Sequence, residues 1–430
     1  MSENIKRRKV VIALLLVVMI ISALDKTIFA FAGAQIIDEL ALTPEQFGLV
    51  GSSFFFFYSL SGVLVGFLAN RAPTRWILTG MSLVWMAAQL LVTFSSGISA
   101  LVASRLLLGI GTGPATAVTQ HACFKWFNPK ERMLPSSLIY SSIMLGGLIG
   151  AAILPYAIEH LGWRLAYFCL AVAGLIWLCL WLAFGREGSQ QLHGDRAENG
   201  AETKIPYKAL LLNRTFVCIT LLAFFCYVPS ALGVSWTVVY LKKGLNLSTL
   251  QAGYYMLTVT VLAMITGLTV SSLAQKALKR GASLFWTMVA PPLMCSALGG
   301  LLFALIGIST DQPVLITALM GLGTALVNVL PSFSMTITSH FTPVQQRGSM
   351  LAIHNALQTS AGMLVPSLVG QLIAWKGNEI AQGFECAVCG FGMATLICAL
   401  IGFRVVTPES TRIELQAMVV EPHLRWIRAH

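Results

Sequence analysis

The sequence has very little charge for its length. Only 10% of its 430 residues are Asp, Glu, Lys or Arg, against roughly 25% in soluble domains, whereas 56% are hydrophobic. A water-soluble domain is therefore excluded, and an integral membrane protein is indicated. The nine cysteines are scattered mostly through apolar runs and give no disulfide framework. Cys386 and Cys389 form a CxxC without a second pair or a nearby His, so no metal site is expected.

Motifs for energy-yielding or catalytic chemistry are also missing. No stretch has the form GxxxxGK[S/T], so the polypeptide is not expected to hydrolyse ATP, and no catalytic cluster suggests an enzyme. The net charge of +11 is dispersed over short loops instead of lying on one face, which argues against nucleic-acid binding. We therefore expect no cofactor, no metal and no nucleic-acid partner.

Long hydrophobic runs are abundant. A membrane span needs about 20 mostly apolar residues, and we predict an all-α membrane protein with twelve such spans, six in each half. The predicted domains are an N-terminal six-helix bundle over 1–185, a linker over 186–213, a C-terminal six-helix bundle over 214–404 and a tail over 405–430. We expect no chemistry in the linker or the tail. The predicted spans are 10–33, 46–69, 75–95, 99–121, 135–157, 164–185, 214–240, 251–273, 283–305, 313–339, 348–374 and 381–404.

The two halves repeat one another. The pattern LxL[S/T]xxQxG occurs over Leu40–Gly48 and again over Leu245–Gly253, about half the chain later, and Gly109–Thr112 returns as Gly321–Thr324. A direct repeat in apolar surroundings predicts two like-folded bundles, which is typical of transporters. Glycines of the first copy could suggest a phosphate loop, but inside an apolar run we interpret them as helix-packing residues.

The distribution of basic residues predicts the orientation. If the N-terminus is inside, most of the 28 Lys and Arg residues fall in inner segments. Both termini are therefore expected in the cytoplasm, and the short loops suggest a bacterial inner membrane.

Three charged residues lie well inside predicted spans, away from the span ends. Asp25, Lys26 and Arg105 each cost at least about 2.5–3.5 kcal/mol in hydrocarbon, so each is a candidate for function. The helical rise places Asp25 and Arg105 at comparable depth, where they could share one cavity. In the functional interpretation, Arg105 and Lys26 attract an anionic substrate while Asp25 binds a proton. The alternative is a structural ion pair, since Asp25 and Lys26 point about 100° apart and cannot both face one spot.

The segment Gly66–Arg75 resembles GxxxD[R/K]xGx[R/K], the signature of the major facilitator superfamily, with Asn70 in place of Asp and Pro73 in place of the second Gly. Within that superfamily the chain resembles the anion:cation symporter branch, which includes transporters of sugar acids. The features that carry this resemblance are Asp25-Lys26, Phe54xxxTyr58, Arg105xxxGly109, Trp126-Phe127 with Pro129 and Arg132, Gly162-Trp163-Arg164, and Asn355 with Pro366.

The resemblance implies proton-coupled movement of a small organic anion across the lipid bilayer by a rocker-switch, with Asp25 as the protonation site. Lys26 and Arg105 would contact the substrate carboxylate, while Tyr58 and Asn355 would line the cavity. We add Thr112, Tyr140 and Gln358 as further cavity candidates, and we expect a monomer. The predicted gating residues are Asn70, Arg71, Arg75 and Arg132, for which the alternative is a topology signal alone.

Departures from the family pattern keep other functions open. Thr112 stands where many relatives have Glu, Met144 stands where a polar residue is usual, and Lys26 replaces Arg. An exchanger or uniporter without proton coupling is therefore possible. An exporter of amphiphilic cations would require acidic cavity residues and no buried base. A membrane enzyme or sensor would require a catalytic cluster or an attached domain.

Overall fold

A computed structural model describes residues 2–69, 72–127, 133–188, 205–307, 312–415 and 417, and every regular element in these residues is helical. The helices are α1 (Ser2–Glu39), α2 (Pro44–Ala69), α3 (Thr74–Thr93), α4 (Ile98–Thr112), α5 (Ala115–Phe124), α6 (Met133–Phe184), α7 (Tyr207–Leu212), α8 (Arg214–Gly233), α9 (Trp236–Val239), α10 (Thr249–Lys279), α11 (Ala290–Ile306), α12 (Pro313–Val327), α13 (Leu330–Phe341), α14 (Val344–Thr359), α15 (Ala361–Trp375) and α16 (Ile380–Val405). Short π-helical turns cover Tyr240–Gly244 and Phe285–Val289.

The helices account for the predicted membrane spans. Ten helical segments in the described residues are long and apolar enough to cross a bilayer. One of them, α6, has 52 residues, about 78 Å, which is more than twice the roughly 30 Å of hydrocarbon. Gly162 has a φ of 78°, which is not helical, so it divides α6 into two arms. Glycine adopts a positive φ readily because it has no side chain. The 26-residue α2 is a further candidate span. Each of the twelve predicted runs therefore coincides with a helix, with one arm of α6 or with a pair of consecutive helices. The predicted fold class is confirmed.

The repeated pattern LxL[S/T]xxQxG forms the same helix start twice. At α2, the Thr43 amide donates to Gln46 Oε1 at 3.0 Å and the Gln46 amide donates to Thr43 Oγ1 at 3.3 Å. At α10, Ser248 and Gln251 exchange the same two bonds at 2.8 and 3.2 Å. These reciprocal bonds are capping boxes, which satisfy amides that a helix start leaves unpaired. The repeat therefore marks equivalent helix starts in the two halves.

Contacts divide the chain into two compact units. The first unit contains Met1–Arg196, Ala231–Leu257 and Gly362–Phe384, and the second contains Ala197–Ser230, Thr258–Ala361 and Glu385–His430. The first unit thus combines the N-terminal helices with short segments of α8 to α10 and of α15 and α16. The bundle boundaries predicted from the sequence stay predictions.

Candidate functional site

Asp25 is buried inside the first unit, where only 1% of its surface is exposed. The side-chain amide of Gln89, on α3, donates a hydrogen bond of 2.6 Å to Asp25 Oδ1. Gln89 is 2% exposed, so this contact is shielded from solvent on both sides. Arg105 and Lys26 both lie close enough to Asp25 to interact with it electrostatically. The three charged residues predicted to share a cavity are therefore neighbours.

Arg105 is a buried cation that forms no salt bridge with a carboxylate of the described residues. Its guanidinium carbon lies 3.8 Å from the ring centre of Phe29 and 5.9 Å from that of Phe54. The residue is 5% exposed, and no described residue forms a hydrogen bond or a salt bridge with it. Stacking on an aromatic face stabilises the cation and leaves the edges of the guanidinium plane free to donate hydrogen bonds. Such a group can bind a carboxylate through two parallel bonds.

Lys26 belongs to the same aromatic cluster. Its Nζ lies 5.3 Å from the ring centre of Tyr58, and the Tyr58 ring lies 5.4 Å from that of Phe54. Phe54 in turn borders Arg105. One continuous path of rings thus joins the two cations in the first unit. We call Lys26, Phe29, Phe54, Tyr58 and Arg105 the basic-aromatic cluster.

Gly109 of α4 and Gly113, which directly follows α4, set the geometry of this cluster. A Cβ on Gly109 would lie 2.2 Å from the Phe54 carbonyl oxygen, and a Cβ on Gly113 would lie 2.0 Å from that of Tyr58. Only glycine allows the backbones of α2 and α4 to approach this closely. Ser61 Oγ adds a hydrogen bond of 3.2 Å to the Gly109 carbonyl. The helix-packing interpretation of these glycines is confirmed, and it explains how Phe54 and Tyr58 come to lie beside Arg105.

The other predicted cavity residues are placed differently. Thr112 is buried, and its hydroxyl donates to the Leu108 carbonyl at 2.6 Å. Tyr140 is 56% exposed on α6. Asn355, exposed, and Gln358, buried with no partner for its Oε1, lie on α14 in the second unit. The structure does not test their roles, which stay predictions.

Of the predicted gating residues, Asn70, Arg71 and Arg132 lie outside the described residues. Arg75 donates through Nη2 to the Leu182 carbonyl at 2.7 Å and stacks against Trp76. Its backbone amide donates to Glu187 Oε2 at 3.0 Å. Arg75 is therefore attached to the end of α6 within the first unit.

Glu187 was missed by the sequence analysis, which expected no chemistry after residue 185. Its Oε1 accepts hydrogen bonds from the Thr74 amide at 3.1 Å and the Thr74 hydroxyl at 2.9 Å, and it forms a salt bridge with Lys125. The carboxylate thus caps the start of α3, where a negative charge is favourable. Burial alone would raise the pKa of Glu187, but the bonds from Lys125, Arg75 and Thr74 outweigh burial and lower that pKa.

Replacing Glu187 by Gln is expected to reduce the free energy of unfolding by about 1 kcal/mol at neutral pH. Because the folded pKa lies below the usual value of 4.5, the stabilisation is fully present above that value and is lost as the pH falls through the folded pKa. Thermal unfolding of both proteins at several pH values measures this effect. The difference should be largest near neutrality and should shrink in acid. The exposed Glu379→Gln is the control, and an equal difference at every pH would contradict the assignment.

A second buried polar cluster lies in the second unit. His354 is fully buried. Its Nδ1 lies 2.8 Å from Thr220 Oγ1, and its Nε2 lies 2.9 Å from Ser334 Oγ. Ser334 donates its own proton to the Pro331 carbonyl at 3.0 Å, which is compatible with a neutral imidazole that donates from Nε2–H to Ser334 and accepts from Thr220 at Nδ1. A neutral imidazole thus satisfies every group in this cluster. The arrangement favours a structural role for His354 over a proton relay.

The first unit also has close contacts at the end where α1 stops at Glu39, which we call its far end. Lys243 forms a salt bridge with Asp38, and Ser52 Oγ lies 2.9 Å from Ser367 Oγ. The two repeat glycines lie against backbone carbonyls: a Cβ on Gly48 would lie 2.5 Å from the Pro366 oxygen, and one on Gly253 would lie 2.8 Å from the Ala151 oxygen. The repeat therefore provides two equivalent close approaches, α2 to α15 and α10 to α6.

Comparison with known families and proteins gives a consistent result. A family model described as Major Facilitator Superfamily matches residues 15–366. The chain is 26% identical over 412 residues to a hexuronate transporter of Bacillus subtilis (strain 168), covering 93% of this chain and 94% of the relative. It is 25% identical over 417 residues to a D-galactonate transporter of Escherichia coli O6:H1, covering 91% and 95%. A probable sulfoacetate transporter of Cupriavidus necator is 28% identical over 258 residues, 56% of this chain and 59% of the relative.

Solved structures agree on the fold. A D-xylose-proton symporter superposes with a TM-score of 0.73 at 16% identity, covering 94% of this chain and 98% of that one. A bacterial homolog of the human lysosomal transporter Spinster gives a TM-score of 0.78 at 14% identity, covering 95% and 98%. The matching family and the relatives are transporters, not enzymes.

Proposed function

Because this chain belongs to the Major Facilitator Superfamily, we propose that it imports a small organic acid anion together with a proton. The relatives named above transport hexuronate, D-galactonate and, as a probable function, sulfoacetate. Each of these substrates carries an anionic group on a small polar body. The observation that supports the proposal for this chain is Arg105, a buried guanidinium that forms no salt bridge with any described carboxylate.

The basic-aromatic cluster suits a carboxylate. Arg105 supplies a planar pair of donors, Lys26 supplies a second positive charge, and the Tyr58 ring supports Lys26. Low exposure strengthens each electrostatic contact, because little water competes for the donors. An amphiphilic cation would be repelled by the same two charges, which disfavours export of such compounds.

Asp25 provides a physical route to proton coupling. With Asp25 ionised, its charge offsets one of the two neighbouring cations, and the site attracts an anion weakly. Protonation of Asp25 removes that offset, so the site binds an anion more tightly. By linkage, bound anion must favour protonation of Asp25 to the same degree. A transporter with this coupling moves the proton and the anion together.

The orientation belongs to the same proposal. The concentration of basic residues in segments on the side of the N-terminus supports an orientation with both termini in the cytoplasm of a bacterial inner membrane. Each chain contains a complete basic-aromatic cluster, so a monomer is sufficient for transport.

Uptake by purified protein in liposomes tests the proposal. With D-galactonate, D-glucuronate and sulfoacetate as probes, at least one should accumulate when the external solution is acidic, and a protonophore should abolish the accumulation. If the rate at which labelled substrate exchanges for unlabelled substrate does not depend on the pH gradient, the protein is instead an exchanger or uniporter. Binding and transport of amphiphilic cations, with no response to any acid, would contradict the proposal.

A further inference from the structure

Asp25 borders a small cavity inside the first unit. The cavity has a volume of about 10 Å³, close to the minimum that admits one water molecule. Its walls come from α1, α3 and the second arm of α6, and include Asp25, Ser82, Gln89, Trp85 and Trp177. All five side chains are at most 3% exposed. The cavity therefore lies wholly within the first unit.

The polar groups around this cavity are only partly satisfied. Gln89 donates to Asp25 Oδ1, but no described residue donates to Asp25 Oδ2. Ser82 is 1% exposed, and its hydroxyl forms no hydrogen bond with the described residues. A buried polar group without a partner costs about 1–3 kcal/mol. A water molecule in the cavity, which both residues line, would offer a hydrogen-bond partner to Oδ2 and to the Ser82 hydroxyl.

The cavity also lies apart from the basic-aromatic cluster. Lys26 follows Asp25 directly, so the two side chains point about 100° apart on α1. Lys26 faces Tyr58 of α2, whereas Asp25 faces Gln89 and Ser82 of α3. Arg105 interacts electrostatically with Asp25 while stacking on Phe29. The proton and the anion therefore have separate places, with Arg105 acting on both.

We propose that Gln89, Ser82 and one enclosed water molecule form the proton-holding site of Asp25, with Gln89 as its positioning residue. This inference rests on the proposed proton coupling. The water, when protonated, passes its proton to Oδ2, which turns hydronium into water and carboxylate into carboxylic acid. The acid O–H then donates to that water. Gln89 holds Oδ1 in both states and favours the ionised one, because its amide donates a charge-assisted bond.

The charged and titratable groups that act on Asp25 are few. Lys26 on α1 and Arg105 on α4 both interact with it, and the phenol of Tyr167 on α6 interacts with Asp25 and Arg105. From α3 the neighbours are the neutral Gln89 and Ser82. Changes to Gln89 and Ser82 therefore alter the site without changing its charge.

Infrared titration of the purified protein without substrate tests this proposal. The carbonyl band of the protonated Asp25 side chain is assigned by its loss in Asp25→Asn and is followed over about pH 4 to 9. In Gln89→Met, the titration midpoint should move to higher pH by about one unit, since a hydrogen bond to a charged group is worth about 1.5–3 kcal/mol and one unit is 1.36 kcal/mol. Ser82→Ala should move the midpoint by less.

Thr93→Val is the matched control. Thr93 lies on the same helix, and its hydroxyl donates to the Gln89 carbonyl without lining the cavity. The Asp25 titration midpoint of Thr93→Val should equal that of the wild type. If Gln89→Met does not fold, Ser82→Ala carries the test. Unchanged midpoints in the cavity variants, or no band that Asp25→Asn removes, would overturn the proposal. Loss of sugar-acid uptake with an intact titration would overturn only the substrate assignment.

Discussion

Alanine in place of Arg105 is expected to reduce organic-acid uptake by about 30-fold or more. Truncating one partner of a buried hydrogen-bonded charge pair costs about 2–5 kcal/mol, and 1.4 kcal/mol is tenfold. The loss should be large because no other described guanidinium stacks on Phe29 or Phe54. Initial rates of proteoliposome uptake over a range of substrate concentrations measure it.

Two further variants separate charge from geometry. Arg105→Lys keeps the charge but loses the planar donor pair, so its activity should fall between the wild type and Arg105→Ala. Arg164→Ala removes an arginine whose side chain is 35% exposed and that pairs with Glu39 at the far end. Its uptake should be within about threefold of the wild type, as expected for a surface ion pair. If Arg105→Ala keeps saturable uptake within about threefold of the wild type, Arg105 does not belong to the substrate site.

Tryptophan at both repeat glycines, Gly48 and Gly253, is expected to abolish transport while the protein still folds. Even a Cβ would lie 2.5 Å from the Pro366 carbonyl oxygen at the first site and 2.8 Å from that of Ala151 at the second. An indole cannot fit into either contact, so α2 must separate from α15 and α10 from α6. Under the rocker-switch that the family resemblance implies, these contacts form and break in each transport cycle, and a protein that cannot form them cannot complete the cycle.

Accessibility of the far end provides the measurement. In a background without the native cysteines, Ser52→Cys should react slowly with a membrane-impermeant maleimide, because Ser52 lies against Ser367. The double Trp variant should react several-fold faster and show no uptake. The matched controls are Gly80→Trp and Gly267→Trp, which project into open space, and both should transport. Transport by the double variant would show that the close approaches are dispensable.

The fold followed from the sequence because membrane physics restricts the choices. Apolar run lengths predicted the spans, and the cost of charge in hydrocarbon singled out Asp25, Lys26 and Arg105, which the structure brings together. The repeat predicted two equivalent halves, and its capping boxes and glycines explain why those residues recur. These features were predictable because each is a local pattern with a physical cost.

Other parts of the site depend on contacts between distant segments. Gln89 is a neutral amide in an apolar helix, so nothing in its own neighbourhood pairs it with Asp25, 64 positions away. Glu187 lay in a polar interval that suggested only a linker, yet it caps a helix that starts at Thr74. A signal was available in that case, because α3 begins after Pro73 with no side-chain cap of its own. A helix start without a local capping side chain could have prompted a search for a carboxylate from a distant segment.

The two capping boxes have one further consequence. In both, the residue at the third helical position is Gln, where such boxes also use Glu. A carboxylate at this position would be protonated in acid, and its electrostatic interaction with the helix start would weaken as ionic strength rises. A neutral amide is subject to neither effect. Both helices therefore begin in the same way in dilute or salty, acidic or neutral surroundings. Under the proposed orientation these helix starts lie on the outer side of the membrane, where neutral caps make their geometry independent of external pH and salt.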